Sequence, residues 1–244
     1  FAETGRIDIW NGYEEIASPE LLYTLLVLHR DKLYPQFPFL FQLVAAPFYL
    51  AAGFFGLFAI NSICFIAGTV LWFLATYRLF RDADLALNAV LIFVLATFAW
   101  EYSQAAWPHS VALCLAAGAF YCLVRAFYAE STTQAKAFAA LSGLIAGLAV
   151  GIRVDAILIF PAVILPFLFA KPIRPVETAA ACVGLLPGLT LSAWTNFVKF
   201  GSFNPASYGG SAGFAGLGIV TDTSSLNPLS LAGSAGTYGT PLLL

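Results

Sequence analysis

The sequence predicts an all-α fold: a polytopic transmembrane helix bundle with an outer N-terminal loop that contains short interfacial helices. Three observations predict it. Of the 244 residues, 60% are hydrophobic and 10% charged, with a mean hydropathy of +0.85, a balance foreign to soluble domains. Apolar runs of membrane-crossing length recur between short polar turns. Arg78, Arg81, Arg125, Lys136, Lys171 and Arg174 fall on alternate turns, and so on one side of a membrane. The net charge of −2 gives no basic surface for nucleic acid.

Residues 1–35 are the most polar part of the chain. Ser18-Pro19-Glu20 reads as a helix start, with serine as cap and proline in the first turn. The apolar stretch 21–28 is too short to cross, which predicts a helix lying on the membrane surface. Tyr34-Pro35-Gln36-Phe37-Pro38 then breaks the chain, and 37–52 is apolar with Pro47 inside. Spans follow at 57–77, 85–100, 107–124, 137–152, 156–170 and 178–194, about six in all. Residues 196–240 are loop-like and rich in Gly, Ser and Asn. The chain is read as one transmembrane domain: 1–56 an outer loop with interfacial helices, 57–195 the membrane helices, and 196–244 an outer loop leading toward a further helix. It begins at Phe1, contains no Met and ends on Pro-Leu-Leu-Leu, which predicts a fragment lacking both ends.

The stretch 143–170 organises the rest. It is almost wholly apolar, yet Arg153 and Asp155 sit near its middle. A charge at the centre of a lipid-facing helix costs roughly 2.5–3.5 kcal/mol or more. Two helices joined by a tight turn, with Arg153 and Asp155 at the water interface, avoid that cost; a polar cavity is the other solution. Residues 137–152 and 156–170 would each span roughly 24 Å as helix, which favours the turn.

The positive-inside rule places the six cations above on the cytoplasmic side. Glu101, Arg153, Asp155 and Lys199 then lie outside. The side of 1–35 depends on 37–52. If that run crosses, Arg30 and Lys32 join the inner set; if it lies in the interface, 1–35 is outside. The turn 53–56 has no polar residue, which is poor for a loop at a headgroup surface.

With 1–35 outside, the outer face gathers the acids of the first loop, Glu101 with Tyr102, Trp107 with His109, Arg153 with Asp155, and Lys199 with Tyr208. That mixture suits a phosphate attached to a lipid. Arginine offers a planar fork to phosphate oxygens and lysine a point charge, while an acid nearby serves as general base on a hydroxyl. Aromatic rings stack on a sugar or anchor in the interface. The plain structural readings are a local Arg153–Asp155 pair fixing a turn, a solvated Glu101 and an ordinary loop lysine at 199. Gly143, Gly147 and Gly151, and again Gly184 and Gly188, recur four apart, as close helix packing requires. Cys64, Cys114, Cys122 and Cys182 lie in apolar runs without a CxxC pair and read as small core residues. No HExxH, Walker-type loop or nucleophile elbow is present.

One family pattern does match in order and spacing. Asp31-Lys32-Leu33-Tyr34-Pro35-Gln36-Phe37-Pro38 closes the outer loop, followed by Leu43-Val44-Ala45-Ala46-Pro47-Phe48-Tyr49, Gly53, Gly56-Leu57 and Asn61. Gly143, Gly147 and Gly151 lead into Arg153-Val154-Asp155, and Lys199-Phe200-Gly201 into Tyr208-Gly209. This resembles bacterial membrane glycosyltransferases of the GT-C class, in the protein O-mannosyltransferase-like and aminoarabinose-transferase-like branch. The resemblance covers nearly the whole chain through short Pro, Gly and Tyr signatures.

It implies an inverting transfer of sugar from a polyprenyl-phosphate donor to a glycan, lipid or protein acceptor, outside a bacterial inner membrane. It implies that 37–52 is interfacial. Arg153 matches a basic position near the donor phosphate, with Lys199 assisting; His109, Asp155 and Tyr208 fall to substrate binding. The family's key acid lies in the first outer loop just after a first membrane helix, and so upstream of Phe1; Asp8 is the nearest substitute and Glu101 the other candidate, while Asp31 reads as structural. No cofactor is required by the pattern, although a divalent metal is compatible with such chemistry. From other classes, a secondary transporter would place charges and broken helices at mid-membrane, and a non-catalytic membrane subunit would share the fold without the acid.

Overall fold

A computed structural model of the chain describes residues 2–8, 26–30, 32–35 and 37–207. Two short strands, β1 (Leu26–His29) and β2 (Lys32–Pro35), pair antiparallel. Among the described residues eight α-helices follow: α1 (Leu40–Ala52), α2 (Phe54–Phe80), α3 (Ala83–Leu95), α4 (Ala99–Ser103), α5 (His109–Phe127), α6 (Thr132–Ile152), α7 (Ile159–Phe169) and α8 (Pro175–Phe200). Among them α2, α5, α6 and α8 are long and apolar enough to cross a membrane. The α3 helix and the segment Val154–Phe169 are shorter apolar pieces.

The order of contacts fixes the directions. Leu71 lies against Gly118 and Arg78 donates to the Tyr128 carbonyl (3.3 Å), so α2 and α5 run parallel. The buried Ser142 hydroxyl donates to the Ala119 carbonyl (2.7 Å), while Ile145 lies against Gly118, so α6 runs back against α5. The α6 and α8 helices are again parallel. A Cβ on Gly143 would overlap the Ala181 carbonyl, one on Gly147 would sit 2.5 Å from the Leu185 carbonyl, and one on Gly188 would overlap the Gly147 backbone. Removing Cβ at these points lets the two backbones touch, and in lipid such packing is a principal source of helix association.

The helix ends sort the charges. At one end Arg78 reaches Tyr128, and Arg174 donates to the Ala126 carbonyl (3.3 Å) with its guanidinium 4.8 Å over the Phe127 ring. Arg125 covers the Phe138 ring at 4.4 Å. Arg78, Arg81, Arg125, Lys136, Lys171 and Arg174 thus share this end, six of the chain's 11 cations. Here too lies the main core, where Leu123, Val163, Phe167, Ala181 and Leu185 pack and Phe127 stacks on Phe167 at 5.0 Å.

At the opposite end, α1 does not traverse the bundle. Its first residue, Leu40, faces Gly151, and Phe48 lies so close to Gly56 that a Cβ there would overlap its carbonyl. Gly53 makes the turn with φ of 57°, open to glycine at little cost. The level of Gly68 with Cys114 puts Phe54 roughly 13 Å beyond the start of α5 along the axis. The α1–α2 hairpin therefore caps this end, with Leu50, Phe54 and Phe55 exposed at its tip.

Three expectations are corrected. The surface helix expected over 21–28 gives way at Leu26–His29 to a strand, turned at Arg30 with φ of 51°; short apolar runs do not distinguish the two by periodicity. Residues 18–25 lie outside the described residues. The span expected over 85–100 breaks after Leu95, where Thr97 donates its hydroxyl to the Phe93 carbonyl (2.5 Å) and accepts from the Ala99 N–H (3.1 Å), competing with the helix ladder. The last span continues past Trp194 to Phe200 and ends on Gly201 at φ of 72°. Asn196 holds it there by donating to the carbonyls of Asn204 (2.8 Å) and Ser207 (3.2 Å).

Two outcomes are expected. Gly147→Leu or Gly184→Leu forces α6 and α8 apart and costs roughly 3 kcal/mol or more, read as a lower unfolding midpoint in mild detergent, whereas Gly118→Ala, whose Cβ would stand 3.7 Å from Ile145, is tolerated. An unchanged midpoint for both leucine variants would deny the backbone contact. In a cysteine-free background, an impermeant maleimide labels Gln104→Cys in intact cells and Ser131→Cys only after permeabilisation; the reverse pattern would invert the orientation drawn from the cations.

Candidate functional site

Helix α6 ends where Arg153 leaves helical geometry at φ −147° and ψ 128°, its N–H still bonded to the Ala149 carbonyl (2.9 Å). A 3-10 turn over Val154–Leu158 then leads into α7. Buried Val154 points inward, so Arg153 and Asp155, on either side of it, project together. Arg153 forks onto Asp155, Nε to Oδ1 at 2.8 Å and Nη2 to Oδ2 at 2.6 Å, with 27% and 44% of the two side chains accessible. Burial pushes the Asp155 carboxyl up, but the hydrogen bonds and charge of Arg153 outweigh it and hold the group below the usual carboxylate range.

A third partner comes from α5. Arg153 Nη1 contacts His109 Nε2, in the first turn of that helix. Guanidinium only donates, so His109 accepts there as a neutral ring with its proton on Nδ1. That Nδ1 is buried and without a partner among the described residues. The ring stacks on Tyr102 at 4.0 Å and meets Trp107 edge-on at 6.0 Å. The structure thus joins Tyr102, Trp107, His109, Arg153 and Asp155 into one cluster, at the end opposite the six cations. It is a half-buried cation flanked by an acid, an imidazole and two rings, which suits an anion next to a ring-shaped group.

The remaining candidates stand apart. Glu101 is exposed on α4 beside Tyr102. Lys199 is not a loop lysine: it occupies the last turn of α8, fully buried, with Nζ donating to the Phe37 carbonyl (2.6 Å) and 4.7 Å from the Phe200 ring. It ties the approach to α1 onto the end of α8. Asp8 contacts Arg6 through both oxygens and lies 4.0 Å from Lys32 Nζ. The Arg6 hydrogen bonds hold its carboxyl below the usual range, which weakens it as a base. Tyr208 and Asp31 lie outside the described residues.

Beside Arg6 opens a cavity of about 360 Å³, between the N-terminal segment and α1. Its walls are mostly apolar, with Phe41, Ala45 and Leu57, and Tyr49 donates to Glu3 (3.1 Å) across its rim. No local pattern marks it, because its two sides are more than forty residues apart in the chain. Among the described residues no group of three or more His, Cys, Asp or Glu is placed to hold a metal. No family model, curated protein or solved structure matches the chain.

A double-mutant cycle of Arg153→Gln and Asp155→Asn is expected to give a coupling of about 1 kcal/mol in unfolding, at the upper end for a partly exposed pair. Because the folded carboxyl is depressed, the coupling is complete above an unfolded pKa of about 3.9 and disappears as pH falls through the folded value. Zero coupling at pH 7 would mean the fork is not formed in solution.

Proposed function

We propose that the protein is a membrane glycosyltransferase of a bacterial plasma membrane, moving a sugar from a polyprenyl-phosphate donor to an acceptor on the extracytoplasmic side. The observation that carries this reading is the Arg153 guanidinium, oriented by Asp155 and His109 and still partly accessible at the end away from the clustered cations. In an inverting displacement the acceptor oxygen attacks the anomeric carbon, the bond to the phosphate oxygen breaks, and negative charge grows on the leaving phosphate. Arg153 stabilises that charge, Asp155 sets the plane of the fork, and Tyr102 and Trp107 offer faces to the sugar ring. An acid takes the acceptor proton; exposed Glu101 is better placed to accept one than Asp8, whose oxygens Arg6 already engages. The apolar-walled cavity at α1 supports an amphiphilic substrate. Lys199, buried on Phe37, positions α1 in this scheme instead of touching phosphate.

A second reading has one observation in its favour: the Arg153–Asp155 fork is self-compensating, as a purely structural pair in a non-catalytic subunit would be. Transfer from synthetic polyprenyl-phosphate sugars in proteoliposomes separates the two. Arg153→Ala in the full chain is expected to lower turnover roughly 10²-fold or more, with Arg153→Lys recovering part of it. Unimpaired transfer by Arg153→Ala sinks the assignment of that residue, and the absence of transfer from every such donor favours the non-catalytic subunit.

A further inference from the structure

The end of the bundle away from Arg153 holds charge that the protein does not balance by pairing. The six cations gathered there have four acids near them in the chain, Asp82, Asp84, Glu130 and Glu177. Among the described residues the ion pairs are Arg6–Asp8, Lys32–Asp8 and Arg153–Asp155, so none joins these groups. Asp82 is engaged as the cap of α3, accepting from the N–H groups of Asp84 (2.9 Å) and Leu85 (3.0 Å). Glu177 stands in the first turn of α8, where the helix N-terminus favours it.

Two of the arginines converge on the end of α5 from different elements. Arg78 Nη2 donates to the Tyr128 carbonyl and Arg174 Nη1 to the Ala126 carbonyl, each at 3.3 Å. A guanidinium carries several N–H donors, and each of these gives one to the protein. Arg78 Nε is buried and without a partner among the described residues. The C-terminus of α5 carries about half a negative charge, which two guanidiniums exceed. Neutral acceptors thus hold the arginines in place and leave the end of the helix positive. Beside them Phe80, Ile173 and Val176 are exposed, and they continue the apolar exterior formed by Leu74 on α2 and Val183 on α8.

We infer that Arg78 and Arg174 hold the phosphate of an anionic phospholipid from the leaflet at this end, with its acyl chains against the exposed apolar side chains. The planar fork of arginine matches phosphate oxygens, and basic pockets between helices on the cytoplasmic side take such headgroups. The headgroup must be anionic as a whole, because a zwitterionic one brings its own cation to a positive patch. The site lies at the opposite end from Arg153 and stands independently of sugar transfer.

The test uses the full chain in mild detergent, with phosphatidylglycerol, phosphatidylcholine or inorganic phosphate added and bound lipid counted by native mass spectrometry. Phosphatidylglycerol is expected to bind and to raise the unfolding midpoint, while phosphatidylcholine and inorganic phosphate at the same concentration do neither. Arg78→Gln and Arg174→Gln each weaken that binding roughly tenfold or more. Lys136→Gln removes the same charge from an exposed position at this end and weakens it clearly less. Equal losses in all three variants would mean a diffuse field instead of a site. Equally tight phosphatidylcholine, or displacement of the lipid by inorganic phosphate, overturns the proposal as well. Should an arginine variant not fold, a phosphatidylglycerol with a photoreactive headgroup decides on the unaltered chain: crosslinks map to residues 77–81 or 171–176, and crosslinks only elsewhere refute the site.

Discussion

The backbone contact between α6 and α8 governs the placement of everything else. Two parallel helices touching through Gly143, Gly147, Gly184 and Gly188 must end at the same side of the bundle. That forces the intervening chain to return along Val154–Phe169, and it makes the reversal at Arg153 unavoidable. It also places the end of α8 beside the start of α1, because Gly151 faces both Leu40 and Ser192. Lys199 lies seven residues beyond Ser192, roughly 10 Å further up, where it can reach the Phe37 carbonyl. One glycine-lined seam thus sets both the arginine at the turn and the lysine under the N-terminal segment.

The electrostatics of the turn follow from its position. A helix C-terminus carries partial negative charge, so Arg153 as the residue after Ile152 is a favourable cation for α6. Asp155 supplies the compensating charge two residues on, and His109 adds a neutral acceptor. Among the described residues nothing comparable exists at the other end, where the cations lie over aromatic rings and carbonyls of Phe127, Phe138 and Ala126. Those contacts anchor cations at a membrane surface.

The legible parts of the sequence were those whose signal is local. Two charges inside an apolar run have few low-cost positions, so the Arg153–Asp155 turn could be read directly, as could the glycine spacing. The break after Leu95 was hidden because Thr97 is compatible with a helix, and only its side-chain hydrogen bonds decide otherwise. Lys199 looked like a loop residue because its partner, the Phe37 carbonyl, lies 162 residues away. His109 was visible as a candidate, yet its link to Arg153 depends on α5 and α6 running antiparallel, which no local pattern encodes.

The two ends of the bundle differ in how they are held. The half beside the six clustered cations is packed by Leu123, Val163, Phe167, Ala181 and Leu185, with stacked rings and close glycine contacts. The opposite half relies on a smaller cluster around Ile60 and Ile152 and on side-chain hydrogen bonds from Asn61, Ser62, Asn196 and Lys199 to backbone carbonyls. Hydrogen bonds of this type exchange for water or for a ligand at modest net cost, about 1 kcal/mol each, whereas parting a close-packed seam forfeits many contacts at once. Local opening therefore concentrates at the end that holds the arginine cluster and the α1 cavity, while α6 and α8 stay fixed below it. The proposed transfer from a membrane-borne donor would use that division: a rigid lower frame to keep Arg153 in place, and an upper rim whose fastenings are few, polar and separately breakable.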